Sequence, residues 1–156
     1  MLGNSATLLQ LVLTGLVLCA AGLDMRWRII PNWLTLAIAL IAPLYWIASG
    51  LAFWPDMAWQ ILVGVACFGL FALAFAANMM GGGDVKLIGA LGLWFPAIPM
   101  ARLLVLMALI GGVVGLIYWI GHKLLKRNTA LEIPYGVAIA AAALCTLWEP
   151  NINPFG

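Results

Sequence analysis

Residues Met57–Ala77 read MAWQILVGVACFGLFALAFAA, a run of 21 positions without one charged side chain. A helix needs roughly 20 apolar residues to cross the hydrocarbon core of a bilayer, and this run supplies them. Its apolar residues are continuous and lack the in-and-out alternation of a membrane β-barrel strand. The remainder of the chain repeats the pattern. Of 156 residues, 66% are apolar and 8% are charged, against roughly 45–50% and 25% in a soluble domain. Seven Lys and Arg, five Asp and Glu and one His cannot coat a globular surface with charge. A soluble domain is therefore excluded, and so is disorder, which needs low hydrophobicity and high charge. The net charge of +2 is too small and too dispersed for a nucleic-acid footprint. An integral membrane protein remains.

Outward from that run, the same reading predicts five more spans: Ser5–Leu23, Asn32–Gly50, Val85–Phe95, Ala101–Gly121 and Pro134–Trp148. The polar stretch Asp24-Met25-Arg26-Trp27-Arg28 breaks the first span. Trp54-Pro55-Asp56 turns the chain into the third, and Gly81-Gly82-Gly83-Asp84 interrupts it before the short fourth, which ends at Pro96 and Pro99. No repeat, low-complexity tract or linker divides the chain, so one domain over residues 1–156 is expected. The expected fold is all-α: a polytopic bundle of about six transmembrane helices with both termini outside. In that orientation the inside loops hold Arg26, Arg28, Lys86, Lys123, Lys126 and Arg127, and the outside holds only Arg102, as the positive-inside rule requires. Trp27, Trp33 and Trp119 fall at inside ends and Trp54, Trp59, Trp94 and Trp148 at outside ends, as an interfacial belt; Trp46 lies deeper, as packing. No Lys or Arg precedes Leu8, so the first span reads as permanent rather than as a cleaved signal. Cys19, Cys67 and Cys145 are isolated, which supports no zinc module; they read as small buried packing residues. Lys123, Lys126 and Arg127 read as contacts to anionic lipid, and His122 as a solvated loop residue.

Among the five carboxylates, Asp56 and Glu149 fall at outside turns and Glu132 in an inside loop. Asp24 and Asp84 differ, because each abuts an apolar span beside an unusual backbone. Two crossings separate them, and two crossings return the chain to the same face. Both acids are thus expected at similar depth on the inside, where a tight bundle can bring them together. Like charges a few Å apart resist joint ionisation, so such a pair shares one proton. A proton-sharing pair can hydrolyse a peptide bond. One carboxylate takes a proton from water while the neutral acid hydrogen-bonds the scissile carbonyl, and the roles then exchange to protonate the leaving nitrogen. This chemistry calls for no metal, cofactor or covalent nucleophile.

Gly81 and Gly83, with no Cβ, permit a close backbone approach and would let a substrate strand lie near the carboxylate. Asp84 also reads as the N-cap of the fourth span. Pro31 and Asn32 shape the loop beside Asp24 or simply start a helix. Arg26 and Arg28 either orient the site or contact lipid phosphate, or simply serve the positive-inside topology. Lys86 either tunes Asp84 as a nearby cation or snorkels to the interface. Asn78 either bonds an acid or caps the third helix. Pro134 to Gly136 bound a substrate groove, or Pro134 simply starts the last helix.

Three blocks then carry a resemblance. Asp24-Met25-Arg26-Trp27-Arg28-Ile29-Ile30-Pro31-Asn32-Trp33-Leu34-Thr35 resembles the first signature of the type IV prepilin peptidases, an Asp, basic residues, then Ile-Pro-Asn and Leu-Thr. Gly81-Gly82-Gly83-Asp84-Val85-Lys86-Leu87 resembles their second, G-x-G-D-x-K, and Ile133-Pro134-Tyr135-Gly136 resembles a third block at the start of the last helix. The small members that serve tight-adherence (Flp) pilus systems are the most similar. The resemblance implies a polytopic aspartic peptidase of the bacterial inner membrane with Asp24 and Asp84 as catalytic pair. It implies cleavage of the short basic leader from a prepilin or pseudopilin on the cytoplasmic side. Larger members carry a cytoplasmic insert with paired cysteines and also methylate the new amino terminus; the insert is absent here, and methylation is not expected. The substrate's apolar helix would lie in the lipid bilayer beside the enzyme and present its junction with the leader at the depth of the acids. Two readings from other classes stand beside this one: a small proton-coupled transporter or channel, since intramembrane acids mark ion pathways, and a non-catalytic pilus-assembly scaffold.

Overall fold

A computed structural model describes residues 2–124 and 135–149. Lys126, Arg127, Glu132 and Pro134 lie outside the described residues. Six helices follow one another: α1 (Leu2–Trp27), α2 (Asn32–Ala48), α3 (Ala58–Ala76), α4 (Gly82–Gly92), α5 (Ala97–Leu124) and α6 (Tyr135–Leu147), with a single π-type turn, Phe53–Met57, leading into α3. Among the described residues three apolar helical stretches, Ser5–Trp27, Phe53–Ala76 and Ala97–Gly121, are long enough to cross a membrane. The outward faces confirm what solvent they meet. Leu73 is 71% exposed, Leu40 66% and Leu109 63%, a surface that only lipid can cover without a large penalty. All-α architecture and a membrane setting are as expected.

The polar stretch after Leu23 does not end α1. The helix runs through Asp24 and stops at Trp27; Arg28 turns to φ 55° and returns its amide to Asp24 O at 3.0 Å. Polarity marks where a span leaves apolar surroundings, whereas a helix stops where its backbone bonds stop, here just ahead of Pro31. The other end signal is a conformational one. Asn78, at φ 58°, sends its amide to Phe75 O (2.9 Å), and Met79 sends its own to Ala74 O (2.9 Å). This pair of bonds closes the last carbonyls of α3 as a Schellman cap. The capping reading of Asn78 therefore holds. Gly50 (φ 76°) and Leu51 close α2 the same way, through Ile47 O and Trp46 O.

Helix α4 is the hub. It has only 11 residues, about 16 Å of rise, roughly half of a bilayer core. Val85 and every residue from Leu87 to Gly92 are buried, because α2, α3, α5 and α6 all pack on it. With α3 it forms an antiparallel pair. Close backbone approach is bought by small residues, as in other lipid-embedded interfaces: a Cβ on Gly92 would sit 2.9 Å from Gly64 Cα, and one on Gly89 would sit 2.9 Å from Phe68 Cβ.

A half-length helix exposes its last carbonyls at membrane depth, where no water can take them, so protein groups must. Gln60, only 2% exposed, donates from Nε2 to both Gly92 O and Phe95 O at 2.8 Å. Trp46 Nε1 donates to Leu93 O at 2.7 Å. Trp94 Nε1 donates across to Ile38 O at 2.8 Å and its ring stacks on Tyr45 at 4.8 Å. Two tryptophan expectations change accordingly. Trp94 is buried, not a belt residue, and Trp46 is a hydrogen-bond donor as well as packing. Trp27, Trp33, Trp54, Trp59, Trp119 and Trp148 are all exposed, as a belt requires. The cysteine expectation also changes: Cys19 and Cys145 are exposed on the lipid-facing surface and only Cys67 is partly covered.

Candidate active site

The ends of the bundle differ in charge. At one end sit the C-terminal turns of α1, α3 and α5 and the first turns of α2, α4 and α6. Arg26, Arg28, Lys86 and Lys123 are all here, with Arg26 over the Trp27 ring (5.2 Å) and Lys123 over Trp119 (4.9 Å). At the other end Arg102 pairs with Glu149 at 2.6 Å, and exposed Asp56 accepts from the Ala52 amide at 3.2 Å.

Asp24 stands on the last turns of α1 and is buried. The Gly136 amide, in the first turn of α6, donates to its Oδ2 at 2.9 Å. First-turn amides have no partner within their own helix, so α6 has a donor free for this carboxylate. Arg28 follows on the turn leaving α1. Its positive charge acts on Asp24, and its guanidinium lies over the Tyr118 ring of α5 at 5.5 Å, with Nη1 buried and without a hydrogen-bond partner among the described residues. Arg28 thus does more than mark the inside face: it is tied to the acid's surroundings.

Asp84 lies in the first turn of α4. It is not the N-cap, which is Gly81 in extended conformation (φ −72°, ψ 143°). Asp84 sits three residues further and accepts the Gly81 amide with its carboxylate, the back-bond that an acid at this position makes in a capping box. Burial and then the nearby charge of Asp24 push its carboxyl up to about 6, against the weaker opposing pull of the Gly81 amide. The two acids, 60 positions apart in sequence, come from α1 and α4 to within each other's electrostatic reach at one end of the bundle. The parity of the crossings had predicted that meeting.

The flanking residues are engaged mostly with one another. A Cβ on Gly83 would lie 3.1 Å from Ile30 Cβ, and one on Gly82 would lie 3.3 Å from the Phe75 ring. Gly82 and Gly83 therefore seat α4 against α3 and the α1–α2 turn. Gly81 stands against the Asp84 carboxylate, 3.1 Å from its own would-be Cβ. Pro31 is the N-cap of α2, its carbonyl accepting from Leu34 (3.1 Å). Lys86 makes no ion pair with Asp84 among the described residues. Its Nζ donates to Asn32 Oδ1 at 2.8 Å and joins the start of α4 to the start of α2. Neither the tuning nor the snorkelling reading anticipated that link. Asn32 and Lys86 stand at the end of a cleft of about 470 Å³ between α2, α3 and α4, whose walls include Leu36, Ala39, Val65 and Phe68. Among the described residues no group of three His, Cys, Asp or Glu side chains is placed to hold a metal ion.

Two contributors escaped the sequence reading. Gln60 left a signal, a lone amide inside an apolar run. The donor on Asp24 is a backbone amide, which leaves none beyond the glycine that allows it to approach.

Among curated proteins, the chain is 31% identical over 153 residues to a prepilin leader peptidase/N-methyltransferase of Xanthomonas campestris pv. campestris, an alignment covering 90% of this chain and 50% of that protein. It is 29% identical over 155 residues to one of Aeromonas salmonicida, covering 94% and 51%, and 28% identical over 157 residues to one of Stutzerimonas stutzeri, covering 92% and 50%. The chain thus spans about half the length of the curated relatives it matches. No solved structure matches it significantly. The model of the type IV leader peptidase family matches residues 11–120, a segment that carries both Asp24 and Asp84, and the chain belongs to that family.

Proposed function

We propose that this chain is a membrane aspartic endopeptidase that removes the leader from prepilins of the Flp type, with Asp24 and Asp84 as its catalytic pair. One observation carries the reading: two carboxylates from separate helices converge at the cation-rich end of the bundle, within the segment that the family match covers. Asp84, buried and raised to about 6, holds the shared proton and hydrogen-bonds the scissile carbonyl. Asp24, accepting the Gly136 amide, takes a proton from the attacking water. Asp24 then passes that proton to the leaving nitrogen as the tetrahedral intermediate collapses, while Asp84 keeps its own. The pair, rather than either residue, owns the apparent pKa values.

The cation-rich end faces the cytoplasm in this reading, by the positive-inside rule, and the membrane is the bacterial inner membrane. The prepilin's apolar helix lies in the bilayer against the α2–α3–α4 cleft, and its basic leader emerges beside the acids. Sharing a membrane supplies proximity, so little dedicated binding surface is needed. Gly81, Gly83, Pro31, Asn32, Lys86 and Pro134 shape the site rather than react. The proposal covers the cleavage step alone.

Co-expression with candidate Flp-type prepilins and a gel-shift readout of leader removal tests it. Asp24→Asn and Asp84→Asn should each lower cleavage by about 10³-fold or more while the protein still inserts. Normal processing by either variant would reject the catalytic assignment. Acid-dependent ion flux in proteoliposomes without cleavage would favour a transporter instead.

A further inference from the structure

We propose that Gly136 is a positioning residue for Asp24: its amide fixes the carboxylate, and its missing Cβ is what lets α6 come close enough to do so. This rests on the peptidase reading above and assigns a role to a residue outside the acid-bearing segments.

The two acids are held differently. Asp84 is fixed by the amide of Gly81, three residues before it in the same turn. That lock forms with the first turn of α4 and needs no other helix. Asp24 is fixed from α6, by the Gly136 amide 112 positions away and, beside it, the Val137 amide. Its carboxylate is set only when α6 has docked on α1.

The fit at that contact leaves no room. A Cβ on Gly136 would stand 2.8 Å from Asp24 Oδ2, 2.9 Å from Cγ and 3.0 Å from Cβ. Those are three atoms of one short side chain, anchored on a helix. An alanine there cannot be absorbed by the far end of a flexible neighbour, so the carboxylate itself must move, and the 2.9 Å bond goes with it. Both Gly136 and Asp24 are buried, so water does not replace the lost donor at low cost.

The first turn of α6 is in turn held by α5. A Cβ on Gly111 would lie 3.2 Å from Tyr135 Cε1 and 3.7 Å from Ala138 Cβ. Tyr135 is the residue next to Gly136. Close packing thus runs from Gly111 of α5 through the Tyr135 ring to the Gly136 amide and the Asp24 carboxylate of α1. Gly112, one position on, faces open space with nothing within 4 Å. Two adjacent glycines therefore predict opposite outcomes.

The experiment uses the full chain, purified in detergent, and a prepilin that the unaltered chain cleaves. Gly136→Ala should lower kcat about 100-fold, the effect of misplacing a catalytic group by about 1 Å, with KM changed less than about twofold. Gly111→Ala, which asks the neighbour to give by a few tenths of an ångström, should lower kcat about tenfold by the same misplacement. Gly112→Ala should leave both constants unchanged. A purely structural glycine would lower the folded fraction and leave kcat per folded molecule intact. Folded Gly136→Ala protein with full kcat would overturn the proposal. If Gly136→Ala does not fold, Gly111→Ala decides, and full kcat there overturns it equally. An unaltered chain that cleaves no prepilin would sink the peptidase reading itself, a result distinct from an active chain indifferent to Gly136.

Discussion

The two ends of α4 are built on opposite principles. At its C-terminal end the carbonyls of Leu91, Gly92, Leu93 and Phe95 find donors. Leu91 O takes the Trp94 and Phe95 amides, Gly92 O and Phe95 O take Gln60, and Leu93 O takes Trp46. At its N-terminal end a carboxylate with an elevated pKa stands beside a second carboxylate, and a Lys86–Asn32 bond links it to α2. One end is saturated and uncharged; the other keeps two acids in mutual conflict. A membrane tolerates such conflict only where something uses it. The saturated end supplies the rigidity against which the strained end is held.

Breaking the saturated end should therefore cost folding, not chemistry. Gln60→Leu keeps the side-chain volume but strands two carbonyls at membrane depth. At roughly 1–3 kcal/mol for each group left without a partner, it should lower stability by about 2–6 kcal/mol. Thermal unfolding in detergent would show the loss, while kcat per folded molecule stays near that of the unaltered chain. A Gln60→Leu protein as stable as its parent would show that the amide does not cap α4.

The strained end should respond with the opposite sign. Asp84 binds its proton more tightly folded, at about 6, than unfolded, at 3.8. Between those values the folded state holds more protons, so this group's contribution to stability falls as pH rises through that window. Asp84→Asn removes the penalty. The variant should melt a few degrees higher than its parent at pH 8 and nearly level with it at pH 4, while losing cleavage. A variant less stable at pH 8 would mean that the carboxylate is not in conflict with its surroundings.

The contrast between the ends also explains what the sequence disclosed. Spans were legible because lipid imposes long uncharged runs, and the meeting of Asp24 with Asp84 was legible because crossings alternate faces. Both follow from the bilayer, not from packing detail. The end of α1 lies beyond the polar break, because polarity marks the edge of a span and not the stop of a helix. Trp94 points inward, and a position near a turn says nothing of which way a ring points. The caps on α4 depend on side chains 32 and 47 positions away finding particular carbonyls, a matter of tertiary geometry that no local pattern encodes. Acids favour the N-cap position, yet here Gly81 takes it and Asp84 serves from the third residue of the turn.

Within the saturated end the caps should rank by burial. Trp46→Phe keeps most of the ring and loses one bond to Leu93 O, which should cost about 1 kcal/mol, visible as a smaller shift in melting than Gln60→Leu. A weaker polar contact at that end of the bundle is Arg102–Glu149, whose side chains are 49% and 24% exposed. Exposed ion pairs contribute roughly 0–1 kcal/mol and less at high salt. Glu149→Ala should thus move melting least of all, and the small difference should vanish in about 1 M salt, where the screening length falls to about 3 Å. Cleavage should be unaffected, since the pair lies at the end opposite the acids. A Glu149→Ala effect as large as that of Gln60→Leu would mean that charge, and not carbonyl capping, secures the structural end of α4.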